Sequence, residues 1–192
     1  MANKFNKKIS DTCVRIGEVR FSYASVFAPR TNDEGKPAKY GVCVVIPKSN
    51  KEAVRLVQEA IEAAKLAGKA TKWNGKIPAN AKTCLRDGDI DREDDEAFAD
   101  CYFINTSSKN KPGVKVLDDG AISDALGEDD FYSGCFGAVT INFFPYDNSG
   151  GKGVGAGLNN VIKTRDGERL AGGRSADEDF GDLAGLGSDG LD

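Results

Sequence analysis

The chain has 192 residues with 26 basic and 30 acidic side chains, a formal net charge of −4 at pH 7, and 40% apolar residues. This length fits one ordinary domain with extensions, and no apolar run approaches bilayer length, so we expect a cytoplasmic protein without membrane contact. The chain has no histidine, and its cysteines (Cys13, Cys43, Cys84, Cys101 and Cys135) form no CxxC pair. We therefore expect free thiols, no catalytic residue, no metal and no other cofactor.

The N-terminal half of the chain predicts two strands followed by one helix. Alternating apolar and polar residues indicate the first strand, and an unbroken apolar run before Pro47 indicates a second, central one. Apolar residues at helical spacing indicate the helix, with Ser49 and Glu52 as a capping box and Gly68 as the C-terminal stop. In order, these segments are a flexible arm at 1–13, strands at 14–27 and 40–46, and the helix at 49–66.

The C-terminal half is rich in β-prone segments separated by charged and glycine-rich connectors. The segment 69–99 changes from lysine-rich to acidic, and Gly134 and Gly137 indicate bends such as a curled sheet needs. The run NSGGKGVGAG (148–157) lacks a Walker sequence and a βαβ context, so we interpret it as a mobile loop. The strands predicted here lie at 101–106, 114–117, 131–136 and 138–144, with a last hairpin that joins 160–164 to 169–170.

These elements predict a mainly β fold of the α+β class. Six or seven strands, one dominant helix and glycines at bends favour an OB-like curled β-barrel with one packed amphipathic helix, over residues 14–174. The remaining segment, 175–192, reads SADEDFGDLAGLGSDGLD and holds six acids and no lysine or arginine. Its glycines and repelling acids predict a disordered acidic tail.

The tail changes the charge balance of the protein. Without its six acids the rest of the chain has 26 basic and 24 acidic residues, a net charge of +2. A slightly basic body with an anionic tail is typical of a nucleic-acid binder whose tail competes for the binding surface, although such tails also serve solubility alone. The residues predicted to bind protein partners are Asp177, Glu178, Asp179, Phe180, Asp182 and Leu183.

Aromatic residues lie among lysines and arginines at several places in the body. Proteins bind single strands without sequence preference by stacking bases on rings while nearby cations hold the phosphates. Trp73 lies among four lysines outside any periodic apolar segment, so stacking and core burial are equally favoured for it. The predicted nucleic-acid-binding residues are Arg20, Tyr23, Lys39, Tyr40, Lys72, Trp73, Lys76, Tyr102, Lys109, Lys111, Tyr132 and Lys152.

Four blocks of the sequence resemble a known family. VRFSYASVFAP forms the first strand, YGVCVVIPK leads into the helix, and LRDGD precedes YFINTSSKNKPGV. The block FYSGCFGAVTINFFPYDNSGGKGVGAGLNNV is the most specific. Over residues 14–172 the chain resembles a family of tailed-bacteriophage early proteins that bind single-stranded DNA (ssDNA) through an OB fold. The resemblance implies a non-enzymatic protein of the host-cell cytoplasm, with a tail that recruits replication or recombination proteins.

The tail departs from the pattern of the bacterial ssDNA-binding proteins. Their tails end in an apolar residue beside acids, whereas this chain ends Gly190-Leu191-Asp192 with Phe180 further back. Capture of the chain terminus by a partner pocket is therefore less secure here than recruitment through the acids.

The expected function is to coat and protect ssDNA during DNA replication or recombination, and the sequence leaves homo-oligomer formation open. One alternative is a phage structural or assembly protein without nucleic-acid affinity. Another is a metal-dependent nuclease that uses Asp87, Asp89 or Asp91, since paired metals catalyse phosphodiester chemistry without histidine. We rank the nuclease last because these acids lie in an irregular segment that offers no rigid scaffold.

Overall fold

The computed structural model describes residues 3–31 and 36–170. The predicted tail lies outside these residues, so the predicted domain boundaries stay predictions. In chain order the elements are β1 (Lys7–Lys8), β2 (Cys13–Arg30), β3 (Lys39–Pro47), α1 (Lys51–Thr71), β4 (Arg86–Asp87), α2 (Gly88–Asp91), a 3₁₀ turn (Glu96–Phe98), β5 (Cys101–Ser108), β6 (Gly113–Asp118), β7 (Ala121–Asp124), β8 (Phe136–Asn148) and β9 (Gly151–Arg165).

Five of these strands close into a barrel. Antiparallel ladders join β5 to β3, β3 to β2, β2 to β8 and β8 to β9. The parallel pairing of Ser107 in β5 with Gly157 in β9 completes the ring. The β6–β7 hairpin extends the sheet beyond β9, outside the ring. A small, closed five-stranded barrel with one main helix is the architecture of an OB-like fold, so the predicted fold class is confirmed.

Alternate residues of the barrel strands point into one core, which the helix α1 shares. Val42, Val44 and Ile46 of β3 belong to this core, together with Val57 and Ile61 of α1. The helix packs mainly against β8 and β2. No helix in the described part of the chain is long and apolar enough to cross a bilayer. The helix therefore stabilises one side of the barrel and leaves the outward face of β3 and β5 to other uses.

The helix begins later and ends later than predicted. Its N-cap is Asn50, whose side-chain oxygen accepts a hydrogen bond from the Ala53 N–H, so the predicted capping box is wrong. The Glu52 carboxylate instead accepts from the N–H of Asn3 and from the side chain of Asn6. The helix also continues through Gly68 to Thr71. Gly68 is therefore an interior residue of the helix and not its stop.

We expect Asn50→Ala to destabilise the fold by about 1–2 kcal/mol, the usual cost of losing an N-cap. The cost lies toward the upper end because the Asn50 amide also donates to the Gly17 carbonyl at 2.9 Å. Urea unfolding measures the difference. Ser49→Ala is the matched control and is expected to cost less than about 0.5 kcal/mol, because Ser49 is exposed. Equal costs for the two variants would contradict this assignment of the cap.

Three segments of the C-terminal half differ from the prediction. Residues 131–135 form turns, and the strand begins only at Phe136. The predicted glycine-rich loop is instead a hairpin, in which Asn148 pairs with Gly151 and β9 runs directly on. The alternation of glycine with Val154, Ala156 and Leu158 explains the strand, because these three side chains point into the core. The predicted strand at 169–170 does not form either.

The N-terminal segment described from residue 3 lies against the barrel. Lys7 and Lys8 pair with β2, and the Asn6 side chain accepts from the Gly17 N–H at 2.8 Å. The guanidinium of Arg15 donates to the Phe5 carbonyl at 2.7 Å. These contacts attach the segment that was predicted to be a flexible arm to the first long strand.

Candidate nucleic-acid interface

A groove of about 520 Å³ lies on the outward face of β2, β3 and β5. At one end of this face Val45 and Phe103 are covered by Phe98 of the 3₁₀ turn, and the three form a small second core with Cys43. Beyond this cover the face is open. We call this open region the β3–β5 groove; its floor consists of small and polar residues, namely Ser25, Gly41, Cys43, Asn105 and Ser107.

Cations and rings form the rim of the β3–β5 groove. Tyr23, Arg30, Lys39, Tyr40 and Arg92 line it, and no described residue that lines it is acidic. The Arg92 guanidinium carbon lies 5.6 Å from the centre of the Tyr23 ring, and the ring is 44% exposed. Among the described residues, neither Lys39 nor Arg92 has an ion-pair partner at its side chain. The groove is thus a positively charged channel beside an accessible ring.

The acidic stretch after β4 holds Arg92 in this place. Lys48 bridges the carboxylates of Asp87 and Asp89 at 2.8 Å and 2.7 Å. Asp87 caps α2, and the Arg92 N–H closes that helix on the Gly88 carbonyl. The acids of this stretch therefore act as caps and ion-pair partners that fix the backbone below Arg92.

Electrostatics within this segment agree with that role. Hydrogen bonds from Lys48 and from the Asp100 N–H hold the pKa of the Asp89 carboxyl below its ordinary value. Hydrogen bonds to the carboxylates of Asp87 and Asp89 raise the pKa of Lys48. Burial raises the pKa of the Cys43 thiol to about 12, with Arg92 acting in the opposite direction. The groove floor is therefore neutral at physiological pH, and its charge comes from the rim.

The described residues contain no group of three or more histidine, cysteine, aspartate or glutamate side chains placed to hold a metal ion. The carboxylates of the nuclease alternative are instead engaged in protein contacts. Asp91 accepts from Arg86 at 3.2 Å, while Asp87 and Asp89 share Lys48.

The family model of the Enterobacter phage Enc34 ssDNA-binding protein matches residues 12–189 of the chain. The chain belongs to this family. It is 32% identical over 182 residues to protein p50 of Acyrthosiphon pisum secondary endosymbiont phage 1, a match that covers 89% of this chain and 94% of that one. The resemblance predicted from the sequence is confirmed.

Solved structures of ssDNA-binding proteins share the fold of this Enc34-family chain. The ssDNA-binding protein of bacteriophage Enc34, in complex with ssDNA, superimposes with a TM-score of 0.74 at 23% identity, over 88% of this chain and 100% of that one. Gp2.5, the ssDNA-binding protein of bacteriophage T7, gives a TM-score of 0.53 at 16% identity, over 90% and 94% of the two chains. The family is one of ssDNA-binding proteins, which are not enzymes.

Three of the predicted nucleic-acid-binding residues of this Enc34-family protein meet in the β3–β5 groove. They are Tyr23, Lys39 and Tyr40. Arg20 lies on the same strand as Tyr23, but its guanidinium donates to the carbonyls of Gly134 and Glu168 at 3.1 Å and 2.8 Å. Arg20 thus holds the segment after β9 against the barrel.

Two rings that were predicted to stack on bases are buried, which corrects both predictions. Trp73 is 3% exposed, and its indole N–H donates to the Tyr146 carbonyl at 3.2 Å. Tyr132 is 8% exposed, and its hydroxyl donates to Asp166 at 2.7 Å. Burial leaves neither ring a face for a base. Tyr102 is half-buried against the core, with the Lys48 ammonium 5.1 Å from its ring centre.

The other predicted lysines lie outside the lining of the β3–β5 groove. Lys72 and Lys76 are exposed near the C-terminal end of α1, and Lys152 pairs with Asp147 across the hairpin at 3.5 Å. Lys109 is exposed directly after β5. Lys111 lines a separate cavity of about 470 Å³, between β5, β8 and β9.

Two cations of the rim, Arg30 and Arg92, were not among the predicted binding residues. Arg30 directly precedes the connector between β2 and β3, whose proline and charges masked it, and its guanidinium donates to the Tyr23 carbonyl at 3.4 Å. Arg92 follows Asp91 and precedes the four acids EDDE (93–96), a context that indicated a solvated connector. Only the folding of α2 and the 3₁₀ turn onto β5 brings it to the groove.

Proposed function

We propose that this protein coats and protects ssDNA during phage DNA replication or recombination and binds the strand in the β3–β5 groove. The observation that carries the proposal is the rim of this groove, where Lys39 and Arg92, which have no ion-pair partner among the described residues, line the same groove as the exposed Tyr23 ring. In OB folds generally, this face of the barrel binds oligonucleotides. The family match and the fold of the Enc34 protein in its ssDNA complex support the same role.

The chemistry of the groove suits a single strand of any sequence. Cations on the rim neutralise phosphates and release counterions, while an exposed ring stacks on a base through its π-face. The floor offers a neutral thiol, serine hydroxyls and the Asn105 amide, which are too small to clash with a base. Every base has a π-face, so this arrangement selects unpaired strands and not sequences.

Backbone strain at Tyr23 supports a role for its ring. Tyr23 has a φ of 49°, in the left-handed region that non-glycine residues rarely occupy. The β2–β3 register shifts between Ser22 and Ser25, so the strand bulges at this point. Such strain costs about 1–3 kcal/mol and is concentrated at binding sites. The bulge turns the ring outward at the rim, where a base could lie against it.

Binding to oligo(dT), followed by fluorescence anisotropy at about 50 mM and about 200 mM salt, tests the proposal. We expect tight binding that weakens steeply with salt and that excess duplex DNA fails to displace. Absence of binding at low salt, in a folded protein without its tail, would contradict the proposal and favour the phage assembly protein.

We infer further that the acidic tail competes with DNA for the groove and recruits replication or recombination proteins in the host cytoplasm. The last described residue supports the competition, since the Leu170 N–H donates to the Ser133 carbonyl at 2.9 Å. The Ser133 hydroxyl in turn accepts from the Ala24 N–H at 3.0 Å, next to Tyr23. The first acid of the tail, Asp177, is seven residues beyond Leu170, a distance of at most about 25 Å along an extended chain, so the length of the chain allows the acids to reach the rim.

Deleting residues 175–192 is therefore expected to strengthen oligo(dT) binding by about three- to tenfold at low salt. The gain shrinks as salt rises, because screening weakens the attraction between the tail and the rim cations. The matched control keeps the length of the tail and replaces its six acids by asparagine and glutamine; it should bind like the truncated protein. Unchanged or weaker binding after truncation would remove the competition, without bearing on the groove.

A further inference from the structure

Phe144 is a large apolar side chain that the barrel leaves at its surface. It lies on β8, where its neighbours Phe143 and Ile141 point into the core, and it is 42% exposed. In the β8–β9 hairpin Phe144 pairs with Gly155 and Asn142 pairs with Gly157. The chain thus places an aromatic ring opposite a strand whose outward positions are glycines.

These glycines lie beneath the ring. A Cβ atom at Gly155 would fall 2.6 Å from Cζ of Phe144, and one at Gly157 would fall 3.7 Å from its Cε1. The ring therefore rests on bare backbone, with one face supported and the other side open to solvent. An aromatic ring over a glycine stabilises a strand pair, but that function does not require the second face to remain open.

The outward face is continuous between this ring and the β3–β5 groove. Ser107 lines the groove and pairs with Gly157, which in turn pairs with Asn142 beside Phe144. The path from β5 through β9 to β8 crosses two strand spacings, about 10 Å in all. Over that distance the outward positions of β9 are Gly155 and Gly157, so no side chain of β9 blocks a strand of DNA.

We propose that Phe144 is a second base-stacking site, which binds a nucleotide that leaves the β3–β5 groove across the β5–β9 junction. The inference rests on the proposed function and extends the DNA path from one face of the barrel to the β8–β9 hairpin. Gly155 and Gly157 support the ring and keep the path flat. A strand must be long enough to occupy the groove before it reaches this ring.

Oligo(dT) of two lengths separates the two sites. We compare about 4 nucleotides with about 12 nucleotides, within the range of site sizes of OB folds. Phe144→Leu is expected to weaken binding of the longer strand by about 5- to 150-fold, the effect of losing one stacked base, and to change the shorter one less than twofold. Phe144→Tyr keeps a ring and should bind like the unmodified protein. Leu126→Ala, at a residue that is 91% exposed outside the path, is the control.

Phe144→Trp gives a readout independent of affinity. An added indole at this position should be quenched by the longer oligonucleotide and not by the shorter one, over the constant signal of the buried Trp73. Unchanged affinity of Phe144→Leu for both lengths, with no quenching of the tryptophan variant, would overturn the inference and leave the groove in place. Equal losses for both lengths at an unchanged Tm would also overturn it, because the ring would then belong to the groove site. Failure of the unmodified protein to bind either length would instead contradict the proposed function.

Discussion

Replacing Lys39 and Arg92 together by glutamine is expected to weaken oligo(dT) binding by about 100-fold at low salt. In the proposed complex each side chain makes a hydrogen bond from a charged group to a phosphate, worth about 1.5 kcal/mol at the low end for such bonds. Each replacement also removes one phosphate contact and the counterion that this contact releases. The slope of log K against log salt should therefore become less steep by about 1.4, twice the value of about 0.7 for one phosphate of a single strand.

The control for this variant changes the same net charge away from the groove. Arg55 and Lys65 lie on α1, paired with Glu59 and Glu62 at 2.7 Å and 2.9 Å. Their replacement by glutamine alters the overall field of the protein and no groove contact. We expect a loss of less than about threefold, from long-range attraction alone. A loss as large as that of the groove variant would show that net charge, and not the groove, determines affinity.

Trp73→Ala is expected to lower the free energy of unfolding by about 3–5 kcal/mol, the usual cost of truncating a buried aromatic residue. The Trp73 ring packs directly on Gly68 of α1, where a Cβ would fall 2.7 Å from the ring and from Pro145. Its N–H bond to Tyr146 fastens the end of the helix to β8. The variant thus creates a cavity between the helix and the barrel and leaves a carbonyl without its donor.

Urea unfolding and oligo(dT) binding, each measured on the folded variant, separate the two roles of this residue. Trp73→Phe keeps most of the buried volume and should recover about half of the lost stability, without the hydrogen bond. Binding by the fraction that remains folded should equal that of the unmodified protein. A large loss of affinity with little loss of stability would restore Trp73 as a stacking residue and contradict its burial.

Local periodicity predicts much of this fold. Apolar residues at helical spacing predict α1, and alternating apolar residues predict β2 and β8. The structure has a helix or a β-strand at each of these places. The ends are less well predicted because caps depend on distant partners. Asn50 caps the helix, and its side-chain amide donates a hydrogen bond to the Gly17 carbonyl in β2, a contact that no local sequence rule indicates.

The glycine-rich strand shows why composition misleads. Glycine is rare in strands, so GGKGVGAG indicates a loop, yet Val154, Ala156 and Leu158 alternate with it as a strand requires. The partner strand supplies the reason for the glycines, since Phe144 occupies the space that side chains at 155 and 157 would fill. That relation between two strands becomes visible only when their register is known.

The sequence predicts only part of the candidate site, because tertiary contacts decide which residues reach the groove. Tyr23, Lys39 and Tyr40 combine rings and cations within the strands that form the groove, so the sequence pattern identifies them. Arg92 reaches the rim from an acidic connector through α2 and the ion pairs of Lys48. Trp73 also lies beside cations in the sequence, but its ring is buried at the end of α1. Burial, which decides between these cases, is a property of the tertiary fold.

Photo-cross-linking of oligo(dT) that carries 5-iododeoxyuridine, followed by identification of the linked peptides, tests the position of DNA most directly. We expect cross-links to Tyr23 and Tyr40, at the rim of the β3–β5 groove. Their loss in the variant with glutamine at residues 39 and 92 would confirm that the strand lies there. Cross-links confined to Tyr146 or to Phe5, away from the groove, would contradict the account.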